Sequence, residues 1–469
     1  MEELEVVDGK VMDSESITLE FKSCKNGLSK DFWPTYSAFA NTFGGRVIIG
    51  IDDAHTLLGI DDPDMIIKDL WDLLNDGKKV NLNLISPKDI RTVKIDEKTL
   101  VIVDVPRAER RKRPIYINGT MENGTYKRNG EGDYHCSIDE LKQMLRDASD
   151  IPLDSEITMD LTIDDLDIQS IKSFRERMSS RNPAHPWNAK SNEEFLRLIG
   201  ACSKTSNGLC PTMAGLVMFG YDYSIMSKLP NYHLDYLEFT DDSREDWTFR
   251  LSTGTGEFTG NVYTFLTNVS NRLVMINNRG KDIDGMSRID DTYIMRIQRE
   301  LLINALAHAD YAGLRGIRVE WRPTSFSVRN PGNLRVSLQD MMKGGISDPR
   351  NPHLALMMGL IGMAERAGSG VSDVVSICRN NGMSDPDYIE TTEPETVTVM
   401  LRSNLWVGSK DAKESIILLI KRDPGITLSR ISEKTGIERN KVARIIKSMK
   451  EEGLIQRIGG TRGRWEICS

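Results

Sequence analysis

The sequence predicts an α+β multidomain protein, with two mixed α/β regions followed by a small helical tail that closes in a hairpin. Three observations carry this. At 469 residues the chain is long for one core and suits about three domains of ~150 residues. Stretches with period-2 alternation are interleaved with stretches of helical period, which is the pattern of mixed sheets covered by helices. Charge is also split unevenly. The net charge is −8, yet Lys410–Ser469 holds 14 Lys+Arg against 8 Asp+Glu, a local +6 that leaves −14 on the rest. A basic module on an acidic body is expected when one part alone meets phosphate.

Composition narrows the class. The chain is 39% hydrophobic and 28% charged, ordinary for a globular protein. No apolar run approaches the ~18 residues of a membrane span. The first residues, Met-Glu-Glu-Leu-Glu, are acidic, unlike a secretory or transit peptide. Six cysteines are scattered without a C-x-x-C pair, which fits a reduced cytoplasm and argues against a zinc site. The expected location is cytoplasmic.

Residues 1–150 form the first expected domain. Glu15–Lys22 reads as a strand with alternating faces, and Asp31–Asn41 as a helix with Phe32, Tyr36 and Phe39 on one side. Gly44-Gly45 turns into a buried strand, Arg46–Ile51, ended by Asp52-Asp53. Further strands are expected at Leu100–Val105, Ile115–Ile117 and Thr125–Arg128. Ser137 and Glu140 make a capping box that opens a helix running to Asp147. Glu15, Glu20 and Asp52 are the acids of interest here. Clustered carboxylates can hold divalent metals that drive phosphodiester hydrolysis, while scattered acids are mostly solvated surface or turn chemistry. Arg107–Arg113 carries five basic residues, suited either to a phosphate backbone or to a solvated loop.

Residues 151–405 form the second expected region. Ile151–Asp167, acidic and containing Pro152, reads as a linker. Leu166–Met178, Asn192–Ile199 and Gly260–Asn277 read as helices and Leu234–Phe239 as a strand. Trp187 and Trp247 read as packing residues. The central stretch is Arg299–Tyr311, R-E-L-L-I-N-A-L-A-H-A-D-Y. Leu301, Leu302, Ala305 and Leu306 give it an apolar stripe uninterrupted by Gly or Pro. Glu300, Asn304 and His308 are spaced i, i+4, i+8 and share one face. The Asn304 carbonyl is a hard oxygen ligand for Mg²⁺, and Glu300 could accept a proton from a water attacking a γ-phosphate. The plain alternative is the polar outer face of an amphipathic helix. Downstream, Gly316–Val328 reads as a hairpin before Asn330-Pro331-Gly332. Glu365–Gly370 is a glycine-containing loop opening the helix Val371–Ile377, and its backbone N–H groups can cradle phosphate. Thr396–Leu401 alternates and completes a sheet.

Residues 408–469 form the tail domain, after a linker near Arg402–Lys410. Ala412–Lys421 is a first helix, Thr427 caps a second over Leu428–Thr435, and Glu438–Glu452 is a longer third. Its buried stripe is Val442, Ile445, Ile446 and Met449, and Gly453 stops it. Leu454–Ile458 and Arg464–Ile467 flank a glycine-rich turn. Arg439, Asn440, Arg444 and Lys447 lie off the apolar stripe, where side chains can reach base edges and phosphates; Arg462 and Arg464 lie on the hairpin.

Three resemblances follow from these residues. E-S-x-x-L-E-F-K at Glu15–Lys22, then A-F-A-N-T-x-G-G-x-x-x-I-G-I-D-D at Ala38–Asp53, resembles the Schlafen-type AlbA domain over about residues 13–145. In vertebrate Schlafens two such glutamates and an aspartate form a metal-dependent RNA nuclease. The resemblance implies Glu15, Glu20 and Asp52, with Asp53 as an alternative, although the motif also occurs in predicted regulators. The R-E-x-L-x-N-A-x-x-H-x-D-Y helix, N-P-G, R-N-P at Arg350-Asn351-Pro352 and E-R-x-G-S-G together resemble the GHKL (histidine-kinase-like) ATPase family. The nearer likeness is to its divergent branch in predicted prokaryotic transcriptional regulators, which also carries A-G-L-x-x-F-G, here Ala214–Gly220. That resemblance implies a GHKL-like α/β sandwich in which Asn304 binds Mg²⁺, Glu300 is the general base, and His308, Asn330 and Gly332 border ATP. Gly368 and Gly370 would sit in its lid. The usual adenine-reading Asp is Asn330 here, so the charge-assisted part of that contact is absent. The tail resembles a winged helix-turn-helix.

The leading expectation is therefore an ATP-binding, DNA-binding transcriptional regulator that binds double-stranded DNA through its tail, with Mg²⁺ and ATP as cofactors and a weak ATPase activity open. Winged regulators commonly dimerise, so a homodimer is among the expectations. The alternative is a nucleotide-gated, metal-dependent nuclease of Schlafen type, acting on RNA or DNA in phage defence, with RNA at the N-terminal domain. A third reading is a scaffold with an inactive ATP site.

Overall fold

The computed structural model describes residues 6–7, 9–23, 27–206, 208–240, 242, 246–277, 293–363, 370–381, 383–402, 412–435, 439–458 and 464–468. The chain divides into two compact units, Met1–Ile151 and Pro152–Ser469. No helix among the described residues is long and apolar enough to cross a membrane.

The first unit is built on a four-stranded sheet in the order Leu19–Lys22, Gly45–Ile49, Lys98–Val105, Ile90–Ile95. The first pair is parallel and the others antiparallel. The helix Phe32–Asn41 puts Phe32, Trp33, Tyr36 and Phe39 into the core beside Val47, Ile49, Val101 and Val103. Asn41 ends that helix fully engaged. Its Nδ2 donates to the carbonyls of Ile115 and Tyr126 (2.8 and 3.0 Å), and its Oδ1 accepts from Ile115 N–H (2.8 Å). Ile115–Ile117 is consequently not the strand its alternation predicts. Its backbone pairs with side chains of Asn41 and Asn81 and makes only isolated bridges. The strand at Glu15–Lys22 is also shorter than predicted. Ser16 and Leu19 bond to one another across a tight turn, so the strand begins at Leu19 and Glu15 lies before it. The helix Ile138–Ala148 is capped as expected, with Ser137 and Glu140 bonding reciprocally.

The second unit holds a six-stranded sheet in the order Phe249–Ser252, Leu234–Glu238, Ile317–Trp321, Ser325–Pro331, Glu395–Arg402, Asp387–Thr392. Only the pair of Leu234–Glu238 with Ile317–Trp321 is parallel. Phe326, Val328 and Asn330 point to the buried side of their strand, while Ser325, Ser327 and Arg329 alternate to the other. Asn330-Pro331 extends this strand, pairing with Val397 and Thr396, so the predicted turn comes only at Gly332. Against the buried side lies the helix Tyr293–His308, with Ile297, Leu301, Leu302 and Leu306 at most 2% exposed. Burying each of these is worth roughly 1.5–3 kcal/mol.

Ile151–Asp167 does not behave as a free linker. Asp154 is 2% exposed, and its carboxylate accepts from the N–H groups of His353 and Leu354 (2.7 and 3.2 Å) at the start of the helix Pro352–Leu360. It also pairs with His353 Nδ1 at 3.0 Å. An acid there satisfies orphan donors and favours the helix dipole. Of the two tryptophans, Trp187 packs on the core and Trp247 is exposed.

In the tail, helices Ala412–Arg422, Leu428–Thr435 and Arg439–Glu451 precede the hairpin Ile455–Ile458 and Arg464–Ile467. Val442, Ile446 and Met449 are buried with Ile416, Ile420, Ile431 and Trp465. The Trp465 indole N–H donates to Ile426 O (2.9 Å), which ties the hairpin to the turn between the first two helices.

Candidate functional site

The helix Tyr293–His308 and the sheet enclose a cavity. Leu301, Asn304, Ala305 and His308 line it from the helix, Asn330, Val397, Val399 and Tyr388 from the sheet, and Gly370 at its rim. Four of the residues singled out from sequence, Asn304, His308, Asn330 and Gly370, therefore meet at one place. Glu300 is not among the lining residues but lies against the same glycine. A Cβ on Gly370 would come within 2.0 Å of Glu300 Oε1 and 3.3 Å of Asn304 Nδ2, so only glycine permits this approach. Gly370 begins the helix Gly370–Asn380. Gly368 lies outside the described residues.

The cavity's polar groups are unevenly satisfied. Asn330 Nδ2 donates to Pro331 O (3.2 Å) and Asn333 Nδ2 to Glu395 Oε2 (3.2 Å). Asn304 Nδ2, Asn333 Oδ1 and the Tyr388 hydroxyl are buried with no hydrogen-bond partner among the described residues. A buried polar atom left without a partner costs about 1–3 kcal/mol, and three polar atoms of this cavity carry that cost among the described residues. Burial, with Arg350 and Arg335 adding positive charge and Asp348 opposing, pushes the His308 imidazole down to about 4. It is neutral at pH 7 and serves as a hydrogen-bonding group rather than a cation.

The three-residue motifs around the cavity now have physical roles. Arg350 Nη1 donates to His308 O (2.5 Å) and Nη2 to Asn333 O (3.3 Å). Asn351 Nδ2 donates to the carbonyls of Ala307 and Ala309 (3.2 and 2.8 Å). R-N-P thus caps the C-terminus of the helix bearing Asn304 and His308, with a cation at the negative end of its dipole. Gly332 has φ +92°, and a Cβ there would sit 2.5 Å from Arg350 Nη1. Gly332 is not a cavity wall; it makes room for the capping arginine. Asn333 and Tyr388 escaped the sequence reading. Neither belongs to a motif, and only the burial of an unpartnered polar atom reveals them.

The acids of the first unit are arranged differently. Glu20 is buried and ion-paired to Lys22 and to Arg128 (Nη2–Oε2 2.6 Å). Arg128 is fully buried, also donates to Ser16 O (2.9 Å) and Asp133 (3.0 Å), and lies 5.1 Å from the Phe39 ring centroid. Burial holds the Glu20 carboxyl above its ordinary pKa even against these two cations. Glu15 accepts from Phe21 N–H (2.9 Å). Asp52 Oδ1 accepts from Ala54 and Thr56 N–H (3.0 and 2.8 Å), a local turn. Among the described residues no group of three His, Cys, Asp or Glu is placed to hold a metal ion. The basic stretch is engaged as well. Arg110 donates to Asp147 O and Ser149 O, Arg111 pairs with Asp150 and Lys112 with Glu109, and Arg113 is buried.

In the tail, Arg439, Arg444 and Lys447 are exposed on the third helix, and Arg464 is exposed on the hairpin. Asn440 is the second residue of that helix, and Arg462 lies outside the described residues.

The fold defines an α+β multidomain protein that ends in a winged helical tail. Family models identify the modules. Residues 15–137 match Schlafen, AlbA_2, residues 315–401 match Putative ATP-dependent DNA helicase recG C-terminal, and residues 411–456 match Winged helix-turn-helix DNA-binding. Residues 142–235 match a domain of unknown function, DUF8451. The chain thus carries a Schlafen AlbA_2 domain, a domain of the RecG C-terminal kind and a winged helix-turn-helix. Comparison with curated proteins gives no match. Among solved structures, the DIP2311 protein from Corynebacterium diphtheriae is 17% identical over 98% of this chain and 81% of that one, with a TM-score of 0.41. The N-terminal domain of a putative ATP-dependent DNA helicase RecG-related protein from Nitrosomonas europaea is 27% identical over 27% of this chain and 87% of that one, with a TM-score of 0.21.

Proposed function

We propose that this protein is a DNA-binding transcriptional regulator whose central module binds Mg²⁺ and ATP. The observation that carries the nucleotide reading is the cavity where Asn304, His308 and Asn330 converge and where Asn304 Nδ2, Asn333 Oδ1 and the Tyr388 hydroxyl lack partners among the described residues. A nucleotide offers both acceptors and amine donors to such a set. Asn304 would hold the metal, which would supply charge neutralisation for the phosphates. Asn330, its amide N already engaged, would offer its carbonyl to the base. Glu300 stands one helical turn from Asn304 and would orient a water there. Arg439, Asn440, Arg444 and Lys447 on the third tail helix would read the major groove, with Arg462 and Arg464 on the wing.

The Schlafen-type nuclease reading has less support, because Glu20 is neutralised internally and Asp52 holds a turn. One experiment separates the two. Purified protein is mixed with genomic fragments with and without Mg·ATP, and both mobility and fragment length are measured. Fragments shifted intact, with a pattern that changes on adding Mg·ATP, are expected. Fragments shortened in Mg²⁺ or Mn²⁺ would make the nuclease reading primary.

A further inference from the structure

The six-stranded sheet has a second face, opposite the cavity, with a charge arrangement that stability alone does not explain. Alternation places Arg318 and Glu320, Ser327 and Arg329, and Thr398 on that face. Register sets Arg318 directly opposite Arg329, and Arg329 opposite Thr398. Like charges facing one another across an antiparallel pair are destabilising. The nearby acids relieve this only in part, because each is already engaged by another arginine. Asp235 is held by Arg250 (2.7 and 3.2 Å), and Glu320 by Arg318 (2.6 Å) and Arg322 (3.6 Å). Among the described residues Arg329 makes no ion pair, and its Nε is buried without a hydrogen-bond partner. Arg315, exposed just before the strand Ile317–Trp321, adds a further positive field. Burial and these two neighbouring arginines hold the Arg329 guanidinium below its ordinary pKa.

A half-buried guanidinium facing another arginine breaks a local rule of sheet design, and such breaks concentrate where a ligand compensates them. We infer that this face of the sheet is a second nucleic-acid contact, in which Arg329 takes a backbone phosphate. The Ser327 and Thr398 hydroxyls flank it as further donors, and Arg318 and Arg315 supply field. The occupant follows from chemistry on hand. The guanidinium fork matches phosphate geometry, Ser and Thr hydroxyls donate to phosphate oxygens, and the chain carries a winged helix-turn-helix DNA-binding module. The site goes beyond the nucleotide cavity and the tail helix, and requires only that the full chain binds nucleic acid. Phosphate contacts carry no sequence information, so its loss weakens all sequences alike.

The test uses the full-length protein and Arg329→Gln, with affinity for several duplexes measured across a salt series beside the thermal midpoint without DNA. One lost phosphate contact lowers the salt slope by about one and affinity about fivefold near ~0.15 M salt. The expected result is that loss on every sequence, with a thermal midpoint unchanged or raised because a repulsion is relieved. Arg315→Gln, at an exposed position, is expected to give a smaller uniform loss. Arg444→Ala is the contrast, expected to weaken some sequences much more than others. An unchanged slope and affinity in Arg329→Gln would overturn the inference while leaving the tail reading intact. A loss matched by a fall in thermal midpoint would make Arg329 structural and overturn it too. Loss of poly-glutamate binding with DNA binding untouched would reassign the face to acidic protein, and wild-type protein that binds no DNA would overturn this inference and the tail reading together.

Discussion

Two constellations of polar side chains, one in each unit, differ in how they are satisfied. In the first unit Glu15, Glu20 and Asp52 each have partners supplied by the fold: a backbone N–H, two cations, and a turn. In the second unit Asn304, Asn333 and Tyr388 each keep a buried polar atom with no partner among the described residues. Both sets were flagged, or bordered, by motifs of similar strength. The contrast teaches that a motif marks a domain, whereas the side chains it contributes can be fully engaged by the fold, as the three acids are, or left with open hydrogen-bonding capacity, as at the cavity.

The sharpest way to break this comparison is to remove Arg128. If Glu20 is a structural acid, Arg128→Met removes the buried one of its two cationic partners. The expected cost is about 3–5 kcal/mol in urea unfolding. A loss below ~1 kcal/mol would mean that Glu20 does not depend on Arg128 and is available for other chemistry.

Gly332→Ala is the next largest effect. It places a Cβ at φ +92° and against Arg350, which caps the helix bearing Asn304 and His308. A destabilisation of about 1–3 kcal/mol is expected, together with weaker nucleotide binding. Intact stability and binding would show that the arginine cap does not set the cavity.

The smallest effect concerns Asp154 and His353. The carboxylate bond to Nδ1 raises the His353 pKa above its ordinary value. Stability from this pair is fully present below the unfolded imidazole pKa and is lost as pH rises through the raised folded value. Asp154→Asn is expected to flatten that part of the stability–pH profile. A profile unchanged between wild type and variant would show that the pair contributes nothing to stability.

Much of this architecture was legible in the chain. The tail could be read almost element by element, because its caps and stops (Thr427, Gly453) and apolar stripe are local signals. The stripe Asn304–His308 was legible for the same reason, helical spacing. Other features depended on contacts distant in sequence. Asn41 pins Ile115 and Tyr126 and turns a predicted strand into bridged loop, and Asp154 reaches 199 residues to His353 and binds a predicted linker to the core. Asn333 and Tyr388 had no local signature, since an unmet hydrogen bond exists only once the fold has excluded water from it.

The central claim is that the cavity beneath the Tyr293–His308 helix holds Mg·ATP through Asn304. Titration calorimetry of Mg·ATP into wild type, Asn304→Ala and Glu300→Gln tests it most directly. A saturable heat is expected for wild type, with affinity weakened roughly tenfold or more in Asn304→Ala, about 1.4 kcal/mol per tenfold, and binding spared in Glu300→Gln. Equal Mg·ATP affinity in wild type and Asn304→Ala, or no binding by wild type, would contradict it.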